Sequence, residues 1–263
     1  MAEIDLREMI RQARTAFGPQ LEHLLYHRSR EVLGALLENP RLGEQHLTIL
    51  LARKDLSREV VAVIAQNTEW MKSYPLKVAV LKHPRTPRRL ALRLLKFIYP
   101  FDLLGIALAP GVAPELKRLI EDTLLSQREG MSTGQRLSLA RRGSSRIAGG
   151  LLTDSDLRVV RAVLDNPALT EPMVASSLVA ERSTAGLTDA VLEHRRWSSR
   201  RGVKLAMLRS RHLSLARFAA IVPELSLGDL KDLVEDPRLA PNLRSYVAKL
   251  VQMRKIRSRK KGV

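Results

Sequence analysis

The chain contains no cysteine, which excludes a disulfide framework, thiolate zinc sites and a cysteine nucleophile. Aromatics make up only 4% of its 263 residues, so leucine, valine, alanine and isoleucine must fill the core. No apolar run approaches the roughly 20 residues needed to span a bilayer. The most apolar stretch, 97–116, is broken by Asp102 and by Pro100, Pro110 and Pro114. Neither Gly149-Gly150 nor the Arg141–Arg146 segment has the spacing that presents successive backbone N–H groups to a phosphate. The N-terminus, Met-Ala-Glu-Ile-Asp-Leu-Arg-Glu, has no signal-peptide core. These absences leave a soluble cytoplasmic protein with no cofactor and no catalytic motif, expected to be non-enzymatic.

What is abundant points to helices. Leucine and arginine keep most of their rotamer freedom in a helix. Leu33, Leu36 and Leu37 follow the spacing of one apolar helical face. Asn39-Pro40 then ends that helix, because a residue before proline is pushed out of the α region. Similar punctuation recurs at His83-Pro84, Pro110-Gly111, Asn166-Pro167 and Asp236-Pro237. Ser57, Thr86 and Ser214 stand where N-caps are expected, and strand alternation is nowhere sustained.

The punctuation is periodic. Sliding residues 24–125 against 151–252, a displacement of 127, makes about one pair in five identical, against roughly one in twelve expected from composition. Asn39-Pro40 meets Asn166-Pro167, Pro110 meets Pro237, and the only two tryptophans, Trp70 and Trp197, meet each other. The expected architecture is an all-α helical-repeat solenoid of antiparallel helix pairs, in two tandem modules related by an internal duplication. Residues 24–125 and 151–252 are the modules and 126–150 a connector, with Arg141–Arg146 a basic loop. Residues 1–23 form an N-terminal helical extension and 253–263 a disordered basic tail.

The turn units Leu-Glu-Asn-Pro-Arg-Leu at 37–42 and Leu-Asp-Asn-Pro-Ala-Leu at 164–169 resemble those of HEAT-like and leucine-rich-repeat-variant helical solenoids. Leu-Lys-His-Pro-Arg-Thr at 81–86 and Val-Glu-Asp-Pro-Arg-Leu at 234–239 are looser versions. What that resemblance implies is a binding scaffold.

Few residues suggest chemistry. His23 and His27 lie four apart on a helix but lack the glutamate of a zinc-protease helix and a third ligand, so they read as surface or capping residues. His83 and His212 read as turn caps. Asp102 and Asp229 align and are expected in first helical turns, where the helix dipole favours an acid. Trp70 and Trp197 read as packing residues. The sharper alternative is contact with a damaged nucleotide, as aromatics make in some helical-repeat DNA glycosylases, with Glu69 and Glu193 the nearest acids in sequence.

Charge is the strongest signal. The net charge is +18, and it is clustered. Residues 82–96 carry six basic side chains and no acid, among them Arg85, Arg88, Arg89 and Arg93. A second basic segment contains Arg195, Arg196, Arg200, Arg201 and Lys204, and the tail contributes Arg254, Lys255, Arg257, Arg259, Lys260 and Lys261. Such clusters favour polyanions. The expected partner is therefore nucleic acid or a ribonucleoprotein, contacted through phosphates and without base stacking, since aromatics are scarce. The alternative partner is a protein offering an acidic or helical peptide.

Overall fold

Ser, Thr and Asp residues punctuate the chain at short intervals, and between them leucine-rich segments wind into helices. In a computed structural model, which describes the backbone of residues 2–260 and the side chains of 6–254 and 256, 71% of the chain is helical and no strand occurs among the described residues. The chain divides into two compact units, Met1–Glu129 and Gly130–Val263. The first contains α1 (Ala2–Thr15), α2 (Gly18–Leu24), α3 (Arg30–Leu37), α4 (Glu44–Ala52), α5 (Arg58–Gln66), α6 (Tyr74–Lys82), α7 (Arg88–Leu95), α8 (Pro100–Leu108) and α9 (Pro114–Ser126). The second contains α10 (Thr133–Arg142), α11 (Ser145–Leu151), α12 (Leu157–Leu164), α13 (Glu171–Val179), α14 (Ala185–Glu193), α15 (Arg195–Ser198), α16 (Arg201–Arg209), α17 (Leu215–Ile221), α18 (Leu227–Glu235) and α19 (Pro241–Lys260).

Helix limits in the second unit repeat those of the first at a displacement of 127. Gly18–Leu24 answers to Ser145–Leu151, Arg30–Leu37 to Leu157–Leu164, and Tyr74–Lys82 to Arg201–Arg209. The match reaches beyond the segment where residues are identical. The expected connector holds α10 and α11, which occupy the places of α1 and α2. The stretch expected as a basic loop is therefore mostly helical, with a turn only at Gly143 and Ser144. At the other end, the expected disordered tail continues α19 as helix through Lys260.

Within the first unit, α1 packs on α3, α3 on α5, α5 on α7 and α7 on α9, while α4 packs on α6 and α6 on α8. Most of these helices thus touch the next but one along the chain. Its core is aliphatic and runs through Leu33, Leu36, Leu47, Leu50, Val61, Ile64 and Val80. The second unit adds two large rings, Trp197 and Phe218. No helix among the described residues is long and apolar enough to cross a membrane.

The corners explain why the X-Pro turns recur. A helix end leaves backbone carbonyls without partners, and a polar side chain from the following corner reaches back to supply one. Asn39 Nδ2 donates to the carbonyls of Ala13 and Ala16, both at 2.9 Å, while its Oδ1 accepts from Arg41 N at 2.9 Å. Asn166 does the same to Ala140 (2.7 Å) and Gly143 (3.1 Å), accepting from Ala168 N at 2.8 Å. His83 Nε2 lies 2.7 Å from Arg53 O, and its Nδ1 accepts from Arg85 N at 3.2 Å. His212 Nε2 lies 2.8 Å from Ser183 O. The capping roles expected for these two histidines are observed. Ser57 and Ser214 are N-caps as expected. Thr86 is not: Pro87 takes the cap position of α7, and the Thr86 hydroxyl folds back onto Val80 O.

Candidate polyanion-binding surface

Helix α7 buries Leu90, Ala91, Leu94 and Leu95, which turns Arg88, Arg89 and Arg93 outward. Arg85 is exposed in the preceding corner, and Lys82 and Lys96 are exposed at either end. Among the described residues, none of Lys82, Arg85, Arg88, Arg89 and Arg93 forms an ion pair. The strip has two flanks. Arg88 borders a cavity shared with α9, while Arg93 borders another, of about 290 Å³, with Lys72, Lys77 and Phe97.

The turn after α7 carries a feature that a count of aromatics hides. Phe97, Tyr99 and Phe101 fall within five residues, and they are 54%, 67% and 53% exposed. The ammonium groups of Lys96 and Lys77 stand 5.0 and 5.6 Å from the centre of the Phe97 ring, a cation–π arrangement. The Tyr99 ring lies 5.1 Å from that of Tyr74. Aromatics are scarce in the chain, yet here three are exposed, and Phe97 stands beside two cations that have no ion-pair partner among the described residues. The spacing Phe-Ile-Tyr-Pro-Phe carried the signal in sequence, but it reads there as part of an apolar stretch.

The second unit's cations are placed differently. Arg201 pairs with buried Asp229, and Lys204 Nζ lies 2.6 Å from Glu224 Oε2. The Arg196 guanidinium lies 4.2 Å from the Trp197 ring centre and reaches Leu169 O at 3.4 Å. Arg195 and Arg200 are exposed, with no ion-pair partner among the described residues. In the last helix, Arg254 donates to the carbonyls of Leu225 and Pro223. The side chains of Lys255, Arg257, Arg259 and Lys260 lie outside the described side chains, and Lys261 lies outside the described residues. So, among the described residues, the second cluster mostly ties its own fold together, whereas the arginines of the first have no ion-pair partner.

The remaining candidates resolve into structural roles. Trp197 is 1% exposed and its Nε1 donates to Leu164 O at 2.7 Å, so no nucleotide can reach it. Trp70 is half-buried against the first unit's core. Asp102 sits in the first turn of α8 and accepts from the Tyr74 hydroxyl. Asp229 sits in the first turn of α18, in a capping box with Ser226. These two acids thus occupy the first turns expected of them, and positions 74 and 201 supply their partners in both units. His27 Nδ1 accepts from Ser29 N at 3.0 Å, and His23 is exposed in the last turn of α2. Among the described residues, no group of three His, Asp or Glu side chains could hold a metal ion.

The titrating groups of these corners make stability depend on pH. The Arg201 guanidinium beside Asp229 holds that carboxyl below the usual range, and Arg238 and Arg209 do the same for Asp236. Burial pushes His83 below its ordinary value of 6.5. In all three cases the unfolded chain binds a proton before the folded one does, so folding stability must fall as pH falls. The first loss is expected below pH 6.5, from His83, and a steeper one below 3.8, from the two aspartates. Urea melts across this range check it, and His83→Gln should remove the first loss while leaving the second.

Comparison with protein families, with curated proteins and with solved structures yields no match to this chain.

Proposed function

We propose that the chain is a cytoplasmic, non-enzymatic helical-repeat scaffold that binds a polyanion, with nucleic acid the class its surface fits. In this reading the chain is a solenoid of helix pairs, and the two units descend from one duplicated module. The common 127 displacement of helix limits and of the Asn39 and Asn166 corners supports that origin. The observation that carries the function is the α7 strip. Arg85, Arg88, Arg89 and Arg93 hold four charges with no ion-pair partner among the described residues, and the strip's Arg93 borders one cavity with the exposed Phe97.

An unpaired arginine gains most from a phosphate, which it can grip through two parallel hydrogen bonds. Exposed rings beside such arginines give unstacked bases a platform, worth about 1–3 kcal/mol per base. This favours single strands over duplex. Arg201 and Lys204 contribute little in this reading, because a phosphate would have to displace Asp229 or Glu224 from them.

The test is a salt titration of binding to single-stranded and duplex RNA and DNA. Each phosphate contact removed should flatten the dependence of log K on log salt by about 0.7 for a single strand. Replacing Arg85, Arg88, Arg89 and Arg93 by alanine is therefore expected to flatten the slope by roughly 3. Arg201→Ala with Lys204→Ala should leave it unchanged. Salt-insensitive binding, or none, sinks the reading.

A further inference from the structure

Between α7 and α9 the first unit holds a cavity of about 220 Å³. Ala91, Val112, Leu116 and Leu119 give it apolar walls, and Lys82, Arg88 and Glu115 also line it. His83 and Thr86 face it too, but both are already hydrogen-bonded to backbone.

The equivalent place 127 residues further on is filled. Ala91 and Leu119 answer to Phe218 and Tyr246. Phe218 is buried, with its ring edge-on to Tyr246 at a centroid separation of 6.4 Å. Lys82 answers to Arg209, whose guanidinium lies 2.5 Å from the buried carboxylate of Asp236. Ala109 stands where Asp236 would be. The second unit thus supplies an aromatic ring and a carboxylate from its own chain. The first has neither, but it has the space and the cation.

From this we propose that the cavity is a docking pocket for a segment of a partner protein that brings in an aromatic side chain with a carboxylate beside it. The ring enters between Ala91 and Leu119, and the carboxylate meets Lys82 and Arg88. Size favours a side chain: 220 Å³ falls below the roughly 300–1,000 Å³ of small-molecule sites, and one aromatic anchor in a pocket is a common interface hot spot. Charge sets the rest. The cations lack internal partners among the described residues, while Glu115 penalises a segment with acids on every side of its ring. A phosphate backbone cannot fill an apolar cavity, so this site goes beyond the polyanion reading and shares only Arg88 with it. It rests on the equivalence of the two units.

A displayed library of random peptides, selected against the full chain, tests the idea. The selected peptides are expected to share one aromatic residue next to Asp or Glu. Replacing that aromatic by alanine should weaken binding roughly 10–100-fold, the effect of burying one such ring. The variant Ala91→Phe with Leu119→Tyr copies the second unit's ring pair and should lose the peptides by the same margin. Its melting curve checks that it folds, and its RNA binding, which depends on the arginines, should stay within about twofold. Lys82→Glu, an exposed change that cannot disturb the core, should weaken the same peptides. Peptides without a shared aromatic–acid pair, or ones that bind the filled or Lys82→Glu variant as well as the native chain, would overturn the proposal. So would equal binding by free phenylpropanoate. If the native chain binds the peptides but no RNA, the polyanion reading alone fails.

Discussion

Trp197→Ala is expected to destabilise the second unit by about 3–5 kcal/mol, while Trp70→Ala costs the first about half as much. The two residues are each other's counterparts, so the contrast isolates environment. The Trp197 ring is 1% exposed, and its indole N–H donates at 2.7 Å to Leu164 O at the end of α12. Alanine there opens a large cavity and removes the donor from a helix-end carbonyl, two losses that add. The Arg196 guanidinium, 4.2 Å from the ring centre, also loses its platform. Trp70 is only half-buried, packed against the edge of the first unit's core. Since burial scales with area removed from water, its truncation forfeits less and leaves a dent that water can enter. Thermal melts of the two variants should differ clearly, with the second-unit variant shifted by on the order of 10 °C. Equal shifts would mean that Trp70 carries as much packing as its counterpart.

The helical class, the X-Pro corners and the 127 displacement were all legible in the sequence, because each depends on residue type at fixed spacing. The correspondence of α10 and α11 with α1 and α2 was not. Asn39 and Asn166 fasten the ends of α1 and α10 by bonding main-chain carbonyls at 13, 16, 140 and 143, and any residue supplies a carbonyl. Those bonds place no demand on the side chains there, so the connector and the N-terminal extension look unrelated in sequence. Which arginines are available was also hidden. Arg201 and Arg209 find their acids 28 and 27 residues away, in α18 and in the corner that ends it, a distance no local pattern reports. Composition hid the exposed aromatics as well: a small count says nothing about whether Phe97, Tyr99 and Phe101 face solvent or core.

Asn166→Ala is expected to cost about 3–5 kcal/mol, out of proportion to the few atoms removed. The side chain is 2% exposed and makes three hydrogen bonds to backbone: two donated to the end of α10, one accepted in its own corner. Each backbone group left without a partner costs about 1–3 kcal/mol, and water can rescue only part of that at a buried corner. Asn39→Ala should behave alike in the first unit, where the three distances are all 2.9 Å. Asn166→Asp separates geometry from chemistry. At neutral pH the carboxylate has the right shape but points acceptors at two carbonyls, so it should destabilise at least as much as alanine. Its folded-state pKa must then be raised, since burial and nearby carbonyl oxygens both oppose the charge. A raised carboxyl pKa makes the folded state bind the proton first, so the penalty should shrink as pH falls toward the ordinary carboxylate range. There the protonated acid can donate one of the two lost bonds. Urea melts of Asn166→Asp and Asn166→Ala, compared at neutral and mildly acidic pH, read this directly: the gap between them must close or reverse in acid. A gap that stays constant would show that Asn166 acts by filling space and not by its hydrogen bonds.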